Sequence, residues 1–262
     1  MARLIDYIRA GGVRSAVETM SRCTPTDCGL DLIRLGGPAD GGYLIPNDLA
    51  GITALFSPGV ADSSNFELAF AKRGIPCYLA DRSVEGPPQT HPLFHFTRKH
   101  LGTMNNSQTI RLSDWVAEHR PGSGDLALQM DIEGAEYSVL ADCPQEVLMR
   151  FRIIVLELHH CARIVRPWAN GPITTLLQRL TETHAVVHLH ANNQAAPRRW
   201  LGMRVHPLLE FTLLRRDRLR EPTRTITLPH ALDRPNIPSK PEWPLDPAWR
   251  RWNSRLRDRS TS

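Results

Sequence analysis

The sequence predicts an α/β domain built on a seven-stranded, mostly parallel sheet with helices on both faces. Three observations predict it. From about residue 52, short apolar runs alternate with amphipathic stretches at the spacing of strand–helix units. The last two strand-like runs have no helical stretch between them, which calls for one antiparallel strand. Beyond residue 221 the chain turns proline-rich, with Pro222, Pro229, Pro235, Pro238, Pro241, Pro244 and Pro247, a composition that favours extended backbone. The expected division is a helical extension over 1–35, the main domain over 36–220 and an extended tail over 221–262.

In chain order, Leu4, Ile5, Ile8, Val13, Ala16, Val17 and Met20 form a broken apolar stripe at helical spacing, interrupted by Gly11-Gly12. A loop region follows and ends in PADGGYLIP, residues 38–46. Ile52–Ser57 reads as a buried strand, Ser64–Arg73 as a helix, Pro76–Asp81 as a second strand and Leu93–Phe96 as a third. Ser113–His119 reads as a helix capped by Ser113. Leu126–Asp131 and Arg152–His159 read as strands, with a short helix over Ala135–Ala141 between them. A helix over Ile173–Thr183 and strands over Ala185–His190 and Leu208–Arg215 complete the pattern.

The 262 residues are 41% hydrophobic, enough for a full core. Apolar runs such as Ile153 to Leu156 are far too short to span a bilayer. The opening MARLIDYIRAGG carries Asp6 in its apolar stretch and has no small-residue cleavage site, so a cytoplasmic protein without a secretory signal is expected. Cys23, Cys28, Cys77, Cys143 and Cys161 are scattered and form no CxxC pair, so they read as packing thiols. The net charge of +5 comes mostly from arginine, without the basic–aromatic interleaving of a nucleic-acid module. No nucleic-acid partner is expected; peripheral membrane contact and a homo-oligomer stay open.

In an open parallel sheet, ligands bind beyond the carboxyl ends of the strands. The first strand ends in SPGVAD, where Gly59 lets the backbone approach a ligand, and leads to Phe66 and Glu67 at a helix start. The second ends in Asp81, placed to accept ribose hydroxyls. A dinucleotide pyrophosphate normally needs three spaced glycines and an uncluttered helix N-terminus. Only Gly59 is present here, and Glu67 would repel a phosphate, so a ribose ligand without phosphate fits better. The fourth strand ends in MDIEGAE, with Asp131 at the ligand-facing edge and Glu136 read as a complement to the helix dipole. On the fifth, Glu157 and His159 share one face by the period of two, beside His160. The sixth adds His188, His190 and Asn192.

The segments SPGVADSSNFE (57–67), YLADRSVE (78–85) and above all LQMDIEGAEYSVL (128–140) resemble the FkbM-type S-adenosylmethionine-dependent methyltransferases. ADGGYLIP (39–46), IIVLELHH (153–160), VVHLHANN (186–193) and LEFTLLRR (209–216) extend the resemblance to roughly residues 35–220. It implies a class I methyltransferase with a Rossmann-like sheet, S-adenosylmethionine as cofactor, and methylation of a sugar hydroxyl on a glycan, glycolipid or glycosylated metabolite. Ser57, Gly59, Val60, Phe66 and Glu67 would then line the methionine side of the cofactor. Asp81 and Ser83 would hold its ribose, and Asp131 would face the transferring methyl. Asp40 and Tyr43 would close over the acceptor, with His188 and Asn192 beside it.

A sugar hydroxyl needs help losing its proton, and His159 or His160, oriented by Glu157 or Asp131, is the expected base. The competing arrangement is a divalent metal, Mg²⁺ or Mn²⁺, held by Asp131, His159 and His190. An NAD-dependent sugar oxidoreductase or epimerase would share the fold. It lacks here both a G-x-G-x-x-G and a Tyr-x-x-x-Lys pair, the only lysines being Lys72, Lys99 and Lys240. A non-catalytic binding module of the same fold is the third reading.

Overall fold

The computed structural model describes residues 14–120, 122–166, 168–200 and 202–249. Residues 14–22 are helical (α1), while the apolar stripe before residue 14 lies outside the described residues. A hairpin follows, β1 (Leu32–Leu35) with β2 (Tyr43–Pro46), where the sequence reads as loop. Next come β3 (Ile52–Pro58), α2 (Asn65–Ala71), β4 (Cys77–Ala80), β5 (Phe94–Thr97), β6 (His100–Gly102), β7 (Thr109–Arg111), α3 (Leu112–His119) and β8 (Asp125–Met130). The chain continues with α4 (Glu136–Asp142), α5 (Gln145–Leu148), β9 (Phe151–Leu158), α6 (Gly171–Thr183), β10 (His184–Ala191), β11 (Arg198–Trp200), β12 (Met203–Val205) and β13 (Leu209–Arg215).

Seven strands form the central sheet in the order β10-β13-β9-β8-β3-β4-β5. All neighbours pair in parallel except β13, which runs antiparallel between β10 and β9. The expected sheet and its single antiparallel strand are therefore present. β8, β9 and β10 are almost wholly buried, as strands covered on both faces must be. Two apolar clusters sandwich the sheet. One includes Phe56, Trp115, Phe151 and Phe211, the other Leu55, Phe66, Phe70 and Leu79. Boundaries shift by a residue or so: α3 begins at Leu112, so Ser113 lies inside its first turn rather than capping it. β9 stops at Leu158, which places His159 in a turn.

Residues 222–249 contain no helix or strand beyond one 3-10 turn, Pro247–Trp249. Side chains on β10 hold this segment in place. Asn193 Nδ2 donates to the carbonyls of Ile237 and Lys240, and its Oδ1 accepts the Ile237 amide. His190 Nε2 lies 3.3 Å from Glu242, and His188 Nε2 lies 2.9 Å from Asp233. Leu245 and Trp249 join the apolar cluster on one face of the sheet. All five cysteines are buried and free. Among the described residues, no helix is long and apolar enough to cross a membrane.

Candidate functional site

A cleft of about 300 Å³ opens at the carboxyl ends of β3, β4 and β8. Gly59 forms its floor at φ +88°, and a Cβ there would lie 1.6 Å from the Asp131 carbonyl oxygen. Only glycine lets β3 and the β8 turn approach this closely. Asp81, at the end of β4, accepts from the amide and hydroxyl of Ser83 at 2.7 and 2.6 Å and from the Ala61 amide at 3.2 Å. Burial raises its carboxyl, but the Ser83 and Ala61 hydrogen bonds outweigh that and hold it below the usual range. A carboxylate offers about four acceptor positions, so one stays free towards the cleft.

Gly59, Asp81, Ser83 and Asp131 line the cleft, together with Ala61, His100, Leu101, Ile132 and Glu133. Ser57, Val60, Phe66 and Glu67 do not. Phe66 stacks edge-on against Tyr43, and Glu67 is buried beneath α2 against the Ser57 hydroxyl. Burial raises the Glu67 carboxyl, with Ser57 opposing. Ser57 has one proton and also lies 2.6 Å from Gln129 Oε1, so all three oxygens are satisfied when Glu67 is the neutral donor to Ser57 and Ser57 donates to Gln129. The expected repulsion of a phosphate by Glu67 therefore fails, because its carboxyl faces the core.

The MDIEGAE turn is organised by Glu136, which is 0% exposed. Its Oε1 accepts the amides of Ile132 at 3.0 Å and Gly134 at 3.1 Å, and lies 3.1 Å from His159 Nδ1. Glu136 opens the first turn of α4, where an acid complements the helix dipole as expected, and it is also the buried keystone of the preceding turn. The turn takes left-handed backbone at Glu133 (φ 57°) and Gly134 (φ 104°). Its far wall is His160, exposed and also left-handed, whose ring atoms would lie 3.1 Å from a Cβ on Gly134.

His159 Nε2 lies 3.2 Å from Glu133 and 3.9 Å from Asp131. Burial alone would lower its pKa, but the bond to Glu136 and the charges of Glu136, Asp131 and Glu133 raise it. Desolvation pushes the Asp131 carboxyl up to about 7, against the pull of His159. The orienting carboxylate of His159 is therefore Glu136, not Glu157. With β9 ending at Leu158, the period-of-two placement does not extend to His159, and Glu157 instead accepts from Asn192 at 3.1 Å. Burial, then Asp131 and Glu210, push the Glu157 carboxyl up to about 10.

Asp131, Glu133 and His159 can each bring a ligand atom within 4.8 Å of the others. His190 is outside this set: its Nδ1 lies 3.0 Å from Glu210 and its Nε2 faces Glu242. Of the expected acceptor residues, Asp40 is exposed. Tyr43, His188 and Asn192 are buried, Tyr43 against Gln129 and Phe66, His188 under the tail. The residues that sequence reasoning missed are Glu136, the Ala61 amide, His100 and Leu101. For Glu136 a signal existed: a carboxylate opening a helix can fold back onto the preceding amides.

Residues 72–182 match a family model described as the methyltransferase FkbM domain. The match begins just after α2 and ends near the start of β10, so it includes Asp81, Asp131, Glu136, Glu157 and His159 but not Gly59. Among curated proteins none matches.

Proposed function

Starting from a chain that carries a methyltransferase FkbM domain over residues 72–182, we propose that it is an S-adenosylmethionine-dependent O-methyltransferase acting on a sugar hydroxyl of a glycan, glycolipid or glycosylated metabolite. The cleft residues suit that cofactor. Asp81 keeps an acceptor position for a ribose hydroxyl, Gly59 lets the turn that carries Asp131 pack against β3 at the cleft, and His100 and Leu101 line the same cleft. When bound, S-adenosylmethionine supplies an activated methyl group. The remaining work falls to the chain: positioning the acceptor and taking its proton.

The observation that carries the reading is the pair of contacts made by His159. Nδ1 faces the buried Glu136, so its proton is donated there and Nε2 is left with its lone pair towards Glu133 and Asp131, the two residues that stand between it and the cleft. This is how a general base is oriented by a carboxylate behind it. The exposed Glu133, 3.2 Å away, is the group an acceptor would displace. Calorimetry with S-adenosylhomocysteine and with NAD tests the cofactor; binding of NAD alone would end the reading. Mass spectrometry of cell glycans with and without the gene tests the acceptor, the expected change being a loss of 14 daltons, the mass of one methylene.

A second reading of the same residues has a specific observation behind it: Asp131, Glu133 and His159 could hold a divalent ion that polarises the acceptor hydroxyl. Turnover that persists in chelator would remove it.

A further inference from the structure

A second group of carboxylates gathers at the top of β9 and β13. Glu157 and Glu210 are direct cross-strand partners, and Asp40 reaches them from the β1–β2 loop. One oxygen of each lies within 4.8 Å of the others. Two carboxylates opposed on paired strands repel when both are charged, so they ionise together only where a cation joins them. Few cations are at hand. His190 meets Glu210 at 3.0 Å but also faces Glu242, and Arg34 directs its guanidinium at the carbonyls of Gly37 and Ala39.

Two buried oxygens without partners among the described residues distinguish this group from ordinary acidic residues. Asn236, 4% exposed, brings Nδ2 to 3.0 Å from Asp40 Oδ1 and bonds Glu210 Oε1, so its amide sits among the carboxylates. Its own Oδ1 is buried with no partner. Glu157, also 4% exposed, accepts from Asn192 at Oε1 and leaves Oε2 without one. Turning the Asn236 amide over exchanges its nitrogen and oxygen, which puts an oxygen ligand where Asp40 and Glu210 converge.

We propose that Asp40, Glu157, Glu210 and the Asn236 amide form a binding site for a hard divalent cation. Three carboxylates and an amide oxygen make a donor set suited to Mg²⁺, Mn²⁺ or Ca²⁺, and no nitrogen or sulfur ligand favours zinc. Asn192 on Glu157 and His190 on Glu210 hold two of the ligands from behind. The exposed Asp40 gives the ion a route from solvent. Its ligands are distinct from Asp131, Glu133 and His159, although Glu157 lies near enough to Asp131 for the charges to act on one another.

The experiment is a titration of Mn²⁺ into the full chain without cofactor or acceptor, followed by electron paramagnetic resonance of the free ion and by calorimetry. A saturable site is expected that H159A leaves intact and that D40N and E210Q weaken by at least about tenfold. D40N alters an exposed side chain, so it remains informative where E210Q fails to fold. A wild-type chain that binds no Mn²⁺ overturns the assignment, as does binding lost in H159A and kept in D40N.

Discussion

His159 Nδ1 and Glu136 Oε1 stand 3.1 Å apart, and that one oxygen also accepts the amides of Ile132 and Gly134. A single buried carboxylate therefore sets both the turn that carries Asp131 and the orientation of the imidazole beside it.

Glu136→Gln keeps the amide-accepting oxygen but removes the charge that raises the His159 pKa. Turnover should rise with pH through a limb above 6.5 in the wild-type chain, because the base must be neutral, and the limb should move down in the variant. Glu136→Ala should cost about 10²–10⁴ in turnover and destabilise the fold by about 1–3 kcal/mol. A pH–rate profile unchanged in Glu136→Gln would separate His159 from the proton transfer.

Gly59→Ala would set a Cβ 1.6 Å from the Asp131 carbonyl at a φ of +88°. Left-handed backbone and overpacking each cost about 1–3 kcal/mol, so a loss of at least about 3 kcal/mol is expected, with binding of S-adenosylhomocysteine lost as well. Thermal unfolding and calorimetry check both; a variant that melts with the wild type would show that β3 and the β8 turn can separate freely.

Acid should destabilise the fold through two histidines held neutral. Burial lowers His184 and His206 from 6.5 to about 4, and His184 Nε2 sits 2.7 Å from the Phe151 carbonyl. A base whose folded pKa is depressed takes up its proton more readily when unfolded, so this stability is intact above 6.5, is lost as pH falls from 6.5 to about 4, and changes little below that. Each contributes on the order of 2–3 kcal/mol by pH 4. Urea unfolding of His206→Leu at pH 7 and pH 4.5 should show a smaller fall than the wild type.

Glu67 should tolerate an amide better than deletion. Glu67→Gln retains a donor to Ser57 and should change stability by less than about 1 kcal/mol, whereas Glu67→Ala leaves Ser57 and a void and should cost about 2–5 kcal/mol. Equal losses in chemical denaturation would mean that Glu67 is ionised. Because its carboxyl is raised, Glu67 should contribute a loss of stability as pH climbs above 4.5, so the difference between the wild type and the glutamine variant should shift against the wild type over that range.

The sheet was legible because its strands are buried on both faces and so read as continuous apolar runs, from Ile52 to Leu214. The β1–β2 hairpin was not, since its turn carries four glycines among seven residues and its strands span only four residues each. At the site, Gly59, Asp81 and Asp131 were readable from their places at strand ends. Glu67 was misplaced because a helix start marks a position in the chain, not the direction of a side chain. His159 was misplaced because one residue past a strand end the period of two no longer applies. Glu136 and Asn236 act through contacts 23 and 196 residues away along the chain, which no local pattern encodes.

Asn193, at the end of β10, gathers Ile237 and Lys240 round one amide side chain and so delivers Asn236 to Asp40 and Glu210. The cleft is built from residues 59–135, and the carboxylate group beside it at the same edge of the sheet is completed by a segment more than ninety residues later. One edge of the sheet thus draws on two stretches of chain far apart in sequence, and a change at Asn236 can alter the carboxylate group without touching a residue that lines the cleft.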